Sequence, residues 1–214
     1  ASFLFNAFVI RPFLNRYYTV AGYTTVVAIA FGLLLSIWAL SSAISSGGEI
    51  DFGSHKWVEI GHLQMTVGVI LDPLTSVMLV VVTGVSLLIQ IYSLEYMRND
   101  PGYVRYYAYM SLFTASMVGL VLSSNVLQLY VFWELVGLCS YLLIGFWHDR
   151  PAAAAAAKKA FIVTRVGDFG FLLGILYLVF NFDAFAAKGL NPLEIQYIYK
   201  AMAMGCVLVG AAVT

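Results

Sequence analysis

What most constrains this chain is a set of five long apolar runs with very few charges inside them: Tyr18 to Ser46, Pro73 to Tyr92, Tyr106 to Ser123, Asn125 to Trp147 and Ala155 to Phe180. A helix needs about 20 apolar residues to cross a bilayer. Each run therefore predicts a transmembrane helix, the shortest extending back through Tyr103. Composition points the same way, because 62% of residues are hydrophobic and only 10% are charged, against about 25% in soluble domains. The expected fold class is all-α, a polytopic transmembrane helix bundle with spans at 18–46, 73–94, 103–123, 125–147 and 155–180.

The two ends suggest partial spans, at 1–10 and 198–214. Ala1 to Ile10 is apolar and closed by Arg11-Pro12, but ten helical residues cover only about 15 Å. A signal peptide would carry its positive charge before the apolar stretch, and here the charge follows. Ala201 to Val213 is apolar without a cap. The expectation is a fragment that begins and ends inside helices.

The one sizeable polar segment, 47–71, separates the first two full spans. Lys56-Trp-Val-Glu-Ile and Leu63-Gln-Met-Thr-Val-Gly-Val-Ile, joined by Gly61-His62, predict a short β-hairpin on the membrane surface. Asp72-Pro73 then reads as a helix start, with Asp as N-cap and Pro at the first helical position.

Eleven basic and eleven acidic residues cancel, which leaves no basic surface for nucleic acid. Their distribution gives orientation. Arg11, Arg16, Arg98, Arg105, Arg150, Lys158 and Lys159 fall on one side of the spans; Lys56, Lys188 and Lys200 fall on the other. By the positive-inside rule the first side is cytoplasmic, or the matrix or stroma of an organelle, and the hairpin is extracytoplasmic. Cys139 and Cys206 lie in apolar runs without CxxC spacing and read as small buried hydrophobes. His55, His62 and His148 lack ligand spacing.

Glu134 is the one Asp, Glu, Lys, Arg or His between Arg105 and His148. It stands about nine residues into its span, close to the bilayer midplane. An ionisable group at that depth is costly and marks ion or proton handling by default. Scarce water disfavours the charged form, which suits a group that loads and releases a proton. Tyr130, Gly137 and Tyr141 share its helical face and offer two hydroxyls and room for water. The plainer reading is a permanent structural ion pair.

In the span from Ala155, Lys158 and Arg165 are nearly aligned, and Asp168 stands at i+3 from Arg165. Lys158 and Lys159 also read as flanking residues that snorkel, and Arg165/Asp168 as a self-neutralised couple. Gly167, Gly170 and Gly174 have the spacing of close helix packing in membranes. Six alanines from Ala152 favour helix. No nucleotide-binding or hydrolase motif is present.

Two stretches carry a family resemblance: Val131-Phe-Trp-Glu134-Leu-Val-Gly-Leu-Cys-Ser-Tyr-Leu-Leu-Ile-Gly-Phe and Lys159-Ala-Phe-Ile-Val-Thr-Arg165-Val-Gly-Asp168. Leu71-Asp-Pro-Leu-Thr and Tyr92-Ser-Leu-Glu-Tyr-Met agree with them. With these the chain resembles the antiporter-like subunit L (subunit 5) of respiratory complex I, the proton-translocating NADH:quinone oxidoreductase. The resemblance implies an inverted-repeat fold of which this chain covers part of the first repeat. It implies proton translocation through a half-channel centred on Glu134, with Lys159, Arg165 and Asp168 on the path or its coupling. The basic partner of Glu134 is expected to be a Lys just past Thr214. Glu95 matches no functional residue and reads as a solvated loop charge.

The same resemblance implies no cofactor on this chain, with FMN, iron–sulfur clusters and quinone on other subunits. Expected partners are the other membrane-arm subunits, notably neighbouring antiporter-like ones, and lipid. The expected location is a bacterial cytoplasmic membrane or the mitochondrial inner membrane. The alternative family is the Mrp-type cation/proton antiporter.

Overall fold

The computed structural model describes residues 18–46, 50–51, 55–60, 63–181, 185 and 191–203. Its helices are α1 (Tyr18–Ser46), α2 (Pro73–Tyr96), α3 (Tyr103–Val121), α4 (Val126–Ile144), α5 (Pro151–Phe180) and α6 (Ile195–Ala203). Between α1 and α2 run the strands β1 (Ile50–Asp51), β2 (His55–Ile60), β3 (Leu63–Val67) and β4 (Ile70–Leu71). The strands form two antiparallel pairs, β1 with β4 and β2 with β3, the second carrying an irregularity between Lys56 and Val58. The β2–β3 pair lies where the two runs on either side of Gly61-His62 predict a hairpin.

Four helices, at Val20–Ser45, Pro73–Tyr96, Val126–Ile144 and Pro151–Phe180, are long and apolar enough to cross a membrane. The fifth expected span, α3, falls short of that standard because it carries Arg105, four tyrosines and several hydroxyl residues. Packing explains the difference. α3 touches α1, α2 and α4, and Tyr107, Ser111, Thr114 and Ser116 are buried there. An interior helix can hold polar side chains because its neighbours satisfy them. The outer helices instead turn apolar side chains outward, as with Phe31, Leu88, Val131, Val166 and Phe169, all exposed.

Local chemistry sets the helix starts. Asp72 is extended, and its carboxylate accepts from the Thr75 N–H, with Pro73 at the first helical position. Asn125 caps α4 by accepting from the Leu127 N–H at 2.8 Å. α5 begins at Pro151, not at Ala155, so the alanine run lies inside the helix. At the other end of the chain α6 begins at Ile195, before the expected partial span at 198; its remainder, like the partial span at 1–10, lies outside the described residues.

The hairpin base docks on the turn between α3 and α4. The Ile70 N–H donates to the Leu122 carbonyl at 3.3 Å, and the Thr66 hydroxyl donates to Glu194, just before α6, at 3.2 Å. At the opposite end Ala21, Met97, Tyr103, Val104, Tyr107 and Phe146 form the buried core. There Arg105 donates to the Phe146 carbonyl at 3.1 Å and lies over its ring. Both ends of α4 are therefore tied to the rest of the bundle.

Candidate functional site

Glu134 is the ninth residue of the 19-residue α4, close to its midpoint. Across the interface stands α5, and the two helices meet through crossed polar pairs. The Arg165 guanidinium forms an ion pair with the Glu134 carboxylate. One residue earlier on α4, the Trp133 indole N–H donates to Asp168 Oδ1 at 2.8 Å. Arg165 also approaches Asp168 at 3.8 Å, as their i, i+3 spacing predicts. One cation therefore stands between two acids, one on each helix.

Aromatic rings wall this cluster. Arg165 lies 4.6 Å from the centroid of the Phe161 ring, an arrangement that stabilises a cation more strongly once water is excluded. Tyr130 meets Phe171 edge-on at 5.5 Å, and Tyr141 meets Phe161 at 5.2 Å. The face of α4 that carries Tyr130, Glu134 and Tyr141 is thus the face turned to α5. Side-chain exposure falls from 38% at Arg165 to 21% at Glu134 and 7% at Asp168. Asp168 is the enclosed member of the cluster, and Trp133 is what holds it.

Of the four residues singled out in the sequence, the structure brings Glu134, Arg165 and Asp168 together and leaves Lys159 exposed outside the cluster. The lysine expected past Thr214 lies beyond the sequence; within the described residues, the base on Glu134 is Arg165. Sequence reasoning singles out Glu134 but not its neighbour Trp133; the available signal is an indole N–H donor placed next to the acid on a span that otherwise offers few polar groups.

Lys158 lines a cavity of about 370 Å³ with Arg105, Tyr109, Tyr141 and His148, at the basic end of the bundle. Tyr141 and Lys158 recur in a second hollow with Phe161, and Phe161 recurs with Arg165 in a third. The second and third are open apolar grooves on the outward side of α5, which carries exposed Ile162, Val166 and Phe169. Gly137 meets nothing within 4 Å of an added Cβ, and neither do Gly167, Gly170 and Gly174. The glycine stripe of α5 therefore packs against no described part of the chain.

The remaining expected features are structural. Cys139 is free and buried, and Cys206 lies outside the described residues. His148 pairs with Asp149 at 3.5 Å, both largely exposed; Glu95, exposed as expected but in the last turn of α2 and not in a loop, pairs with Arg98 at 3.3 Å. Among the described residues no group of three or more His, Cys, Asp or Glu could hold a metal ion.

The sequence matches two families. Residues 57–107 match "NADH-Ubiquinone oxidoreductase (complex I), chain 5 N-terminus", and residues 123–213 match "NADH:quinone oxidoreductase/Mrp antiporter, TM". The chain is 52% identical over 171 residues to the chloroplastic NAD(P)H-quinone oxidoreductase subunit 5 of Mesostigma viride, covering 78% of this chain and 26% of that one. It is 58% identical over 130 residues to NAD(P)H-quinone oxidoreductase chain 5 of Synechocystis, covering 61% and 19%. The chain thus spans about a quarter of the length of such relatives. Among solved structures it resembles the Mrp complex of Dietzia at TM-score 0.64 and 30% identity, covering 83% of this chain and 18% of that one. A similar fold, at TM-score 0.69 and 19% identity, occurs in an archaeal membrane-bound sulfane sulfur reductase, covering 83% and 35%.

Proposed function

The chain belongs to the complex I chain 5 family of antiporter-like membrane subunits, and on that premise we propose that it translocates protons within a quinone-reducing NADH or NAD(P)H oxidoreductase. The observation that carries the reading is the Glu134–Arg165–Asp168 cluster, set at mid-depth between two apolar spans. Glu134 is the group that takes up and gives back the proton. When Glu134 is ionised, Arg165 serves both acids. When Glu134 binds a proton its hold on the guanidinium weakens, and Asp168, fixed by Trp133, retains Arg165. A positive charge brought closer by neighbouring subunits then favours release of that proton.

The cavity lined by Arg105, Tyr141, His148 and Lys158 supports uptake from the basic side. Oxidation of the nicotinamide and reduction of quinone, with their FMN and iron–sulfur groups, belong to other subunits, and the membrane-arm neighbours are the direct partners. The chloroplastic and cyanobacterial relatives favour a photosynthetic membrane over the mitochondrial inner membrane.

In the intact complex, Glu134→Gln should strongly lower the protons moved per electron, whereas Glu134→Asp should keep part of the activity. An undiminished ratio in the Gln variant overturns the proposal. A second reading, cation/proton exchange of the Mrp type, is favoured by the 30% identity to the Dietzia complex. Sodium-dependent transport without quinone reduction would select it.

A further inference from the structure

α2 is built inside out: its lipid side is apolar, while Ser76, Thr83, Gln90 and Ser93 are buried along one face with Ser86 between them. The spacing of three and four residues keeps these side chains on one helical face. Most of these hydroxyls already have partners. Thr83 donates to the Leu79 carbonyl at 2.7 Å and Ser93 to the Ile89 carbonyl at 2.7 Å. On α3, Thr114 donates to the Met110 carbonyl at 3.0 Å. Across the interface Ser86 pairs with Thr114 at 2.6 Å and Ser93 with Tyr106 at 3.0 Å, and in each pair either hydroxyl can donate.

Gln90 lies between these two pairs, one turn from Ser86 and one turn from Ser93. Its side chain is fully buried, and neither Oε1 nor Nε2 has a hydrogen-bond partner among the described residues. Its backbone carbonyl is already taken by the Tyr107 hydroxyl at 3.1 Å. A buried carboxamide without partners is strongly disfavoured, and native proteins answer this with internal water that makes about three hydrogen bonds.

We propose that Gln90 binds an ordered water inside the α2–α3 interface, between the Ser86–Thr114 and Ser93–Tyr106 pairs. Water fits the chemistry on both counts. It donates to Oε1, and it accepts from Nε2. A metal cation fits poorly, because this stretch has no carboxylate and the Gln90 NH2 group presents positive hydrogens. The site lies between α2 and α3, separate from the Glu134 cluster on α4 and α5, and does not depend on the role proposed for that cluster.

The test is a map of the intact complex at a resolution that shows ordered water, paired with radiolytic hydroxyl labelling, which marks side chains beside bound water. The expected results are water density within hydrogen-bonding distance of the Gln90 amide and labelling of buried Tyr107. In Gln90→Leu that density should vanish and Tyr107 labelling should fall several-fold, while the complex still assembles. If Leu prevents assembly, the wild-type map and labelling decide. A dry amide, an amide bonded directly to another protein group, or Tyr107 labelling unchanged in Gln90→Leu overturns the proposal.

Discussion

Arg165 serves two acids with a single guanidinium, and this makes the consequences of losing either side unequal. Without the Glu134 charge, Arg165 keeps Asp168 at 3.8 Å. Without Arg165, two carboxylates face each other across α4 and α5 with no base among the described residues. Breaking a buried pair from one side costs about 3–5 kcal/mol, although the 38% exposure of Arg165 reduces that figure here. Arg165→Gln should therefore destabilise the complex more than Glu134→Gln, and adding Glu134→Gln to Arg165→Gln should restore part of the loss. A coupling of about 0.5–3 kcal/mol is expected for residues in one network, read from thermal denaturation of the four species. Additive effects would contradict the shared-cation arrangement. The local half of this cluster was legible, since Arg165 and Asp168 are three residues apart on one helix. The tertiary half was not. Which base meets Glu134 depends on how α5 lies against α4, and no spacing within either helix carries that information.

At the scale of elements, contact is decided by a few close approaches. A Cβ added at Gly119 on α3 would collide with the Phe132 ring on α4, so that ring packs directly on the α3 backbone. Gly119→Ala should lower the thermal stability of the complex by about 1–3 kcal/mol through overpacking. Gly119→Ala/Phe132→Leu should recover much of that, because the smaller side chain makes room. If the single variant is as stable as wild type, α3 and α4 do not meet in this way. Element boundaries were largely readable where a cap or a long apolar run marks them, as at Asp72-Pro73 and Tyr18 to Ser46. The character of α3 and α2 was harder to see. Hydropathy treats all apolar spans as alike, whereas the polar residues from Ser76 to Ser93 on α2 reveal themselves only when three-and-four spacing is sought for polar side chains. The glycine stripe of α5 is legible only in part for a related reason: small-residue spacing marks a face suited to close approach without saying what approaches it.

At the scale of the molecule, charge and topology make one joint statement about sidedness. By sequence position, seven basic residues are expected on one side of the spans and three on the other; of the first group the structure describes Arg98, Arg105, Arg150, Lys158 and Lys159. The loop from Arg98 to Gly102 and the turn at His148 and Asp149 line one cavity of about 910 Å³ at the basic end. The hairpin base meets the α3–α4 turn at the other end, where Ile70 bonds Leu122. Placing the hairpin on the basic side would require an even number of crossings between it and the Arg98 loop, yet α2 alone separates them. Single cysteines introduced at Asn99 and Asp149 should thus react together with a membrane-impermeant maleimide from the basic side. A cysteine at Glu59 should react only from the opposite side. The natural Cys139 is buried and should stay silent, and Cys206→Ala removes the remaining background. Labelling of all three positions from one side would show that α2 does not cross, and with it would go the assignment of Glu134 to mid-membrane, since α4 follows α2 in the same alternation.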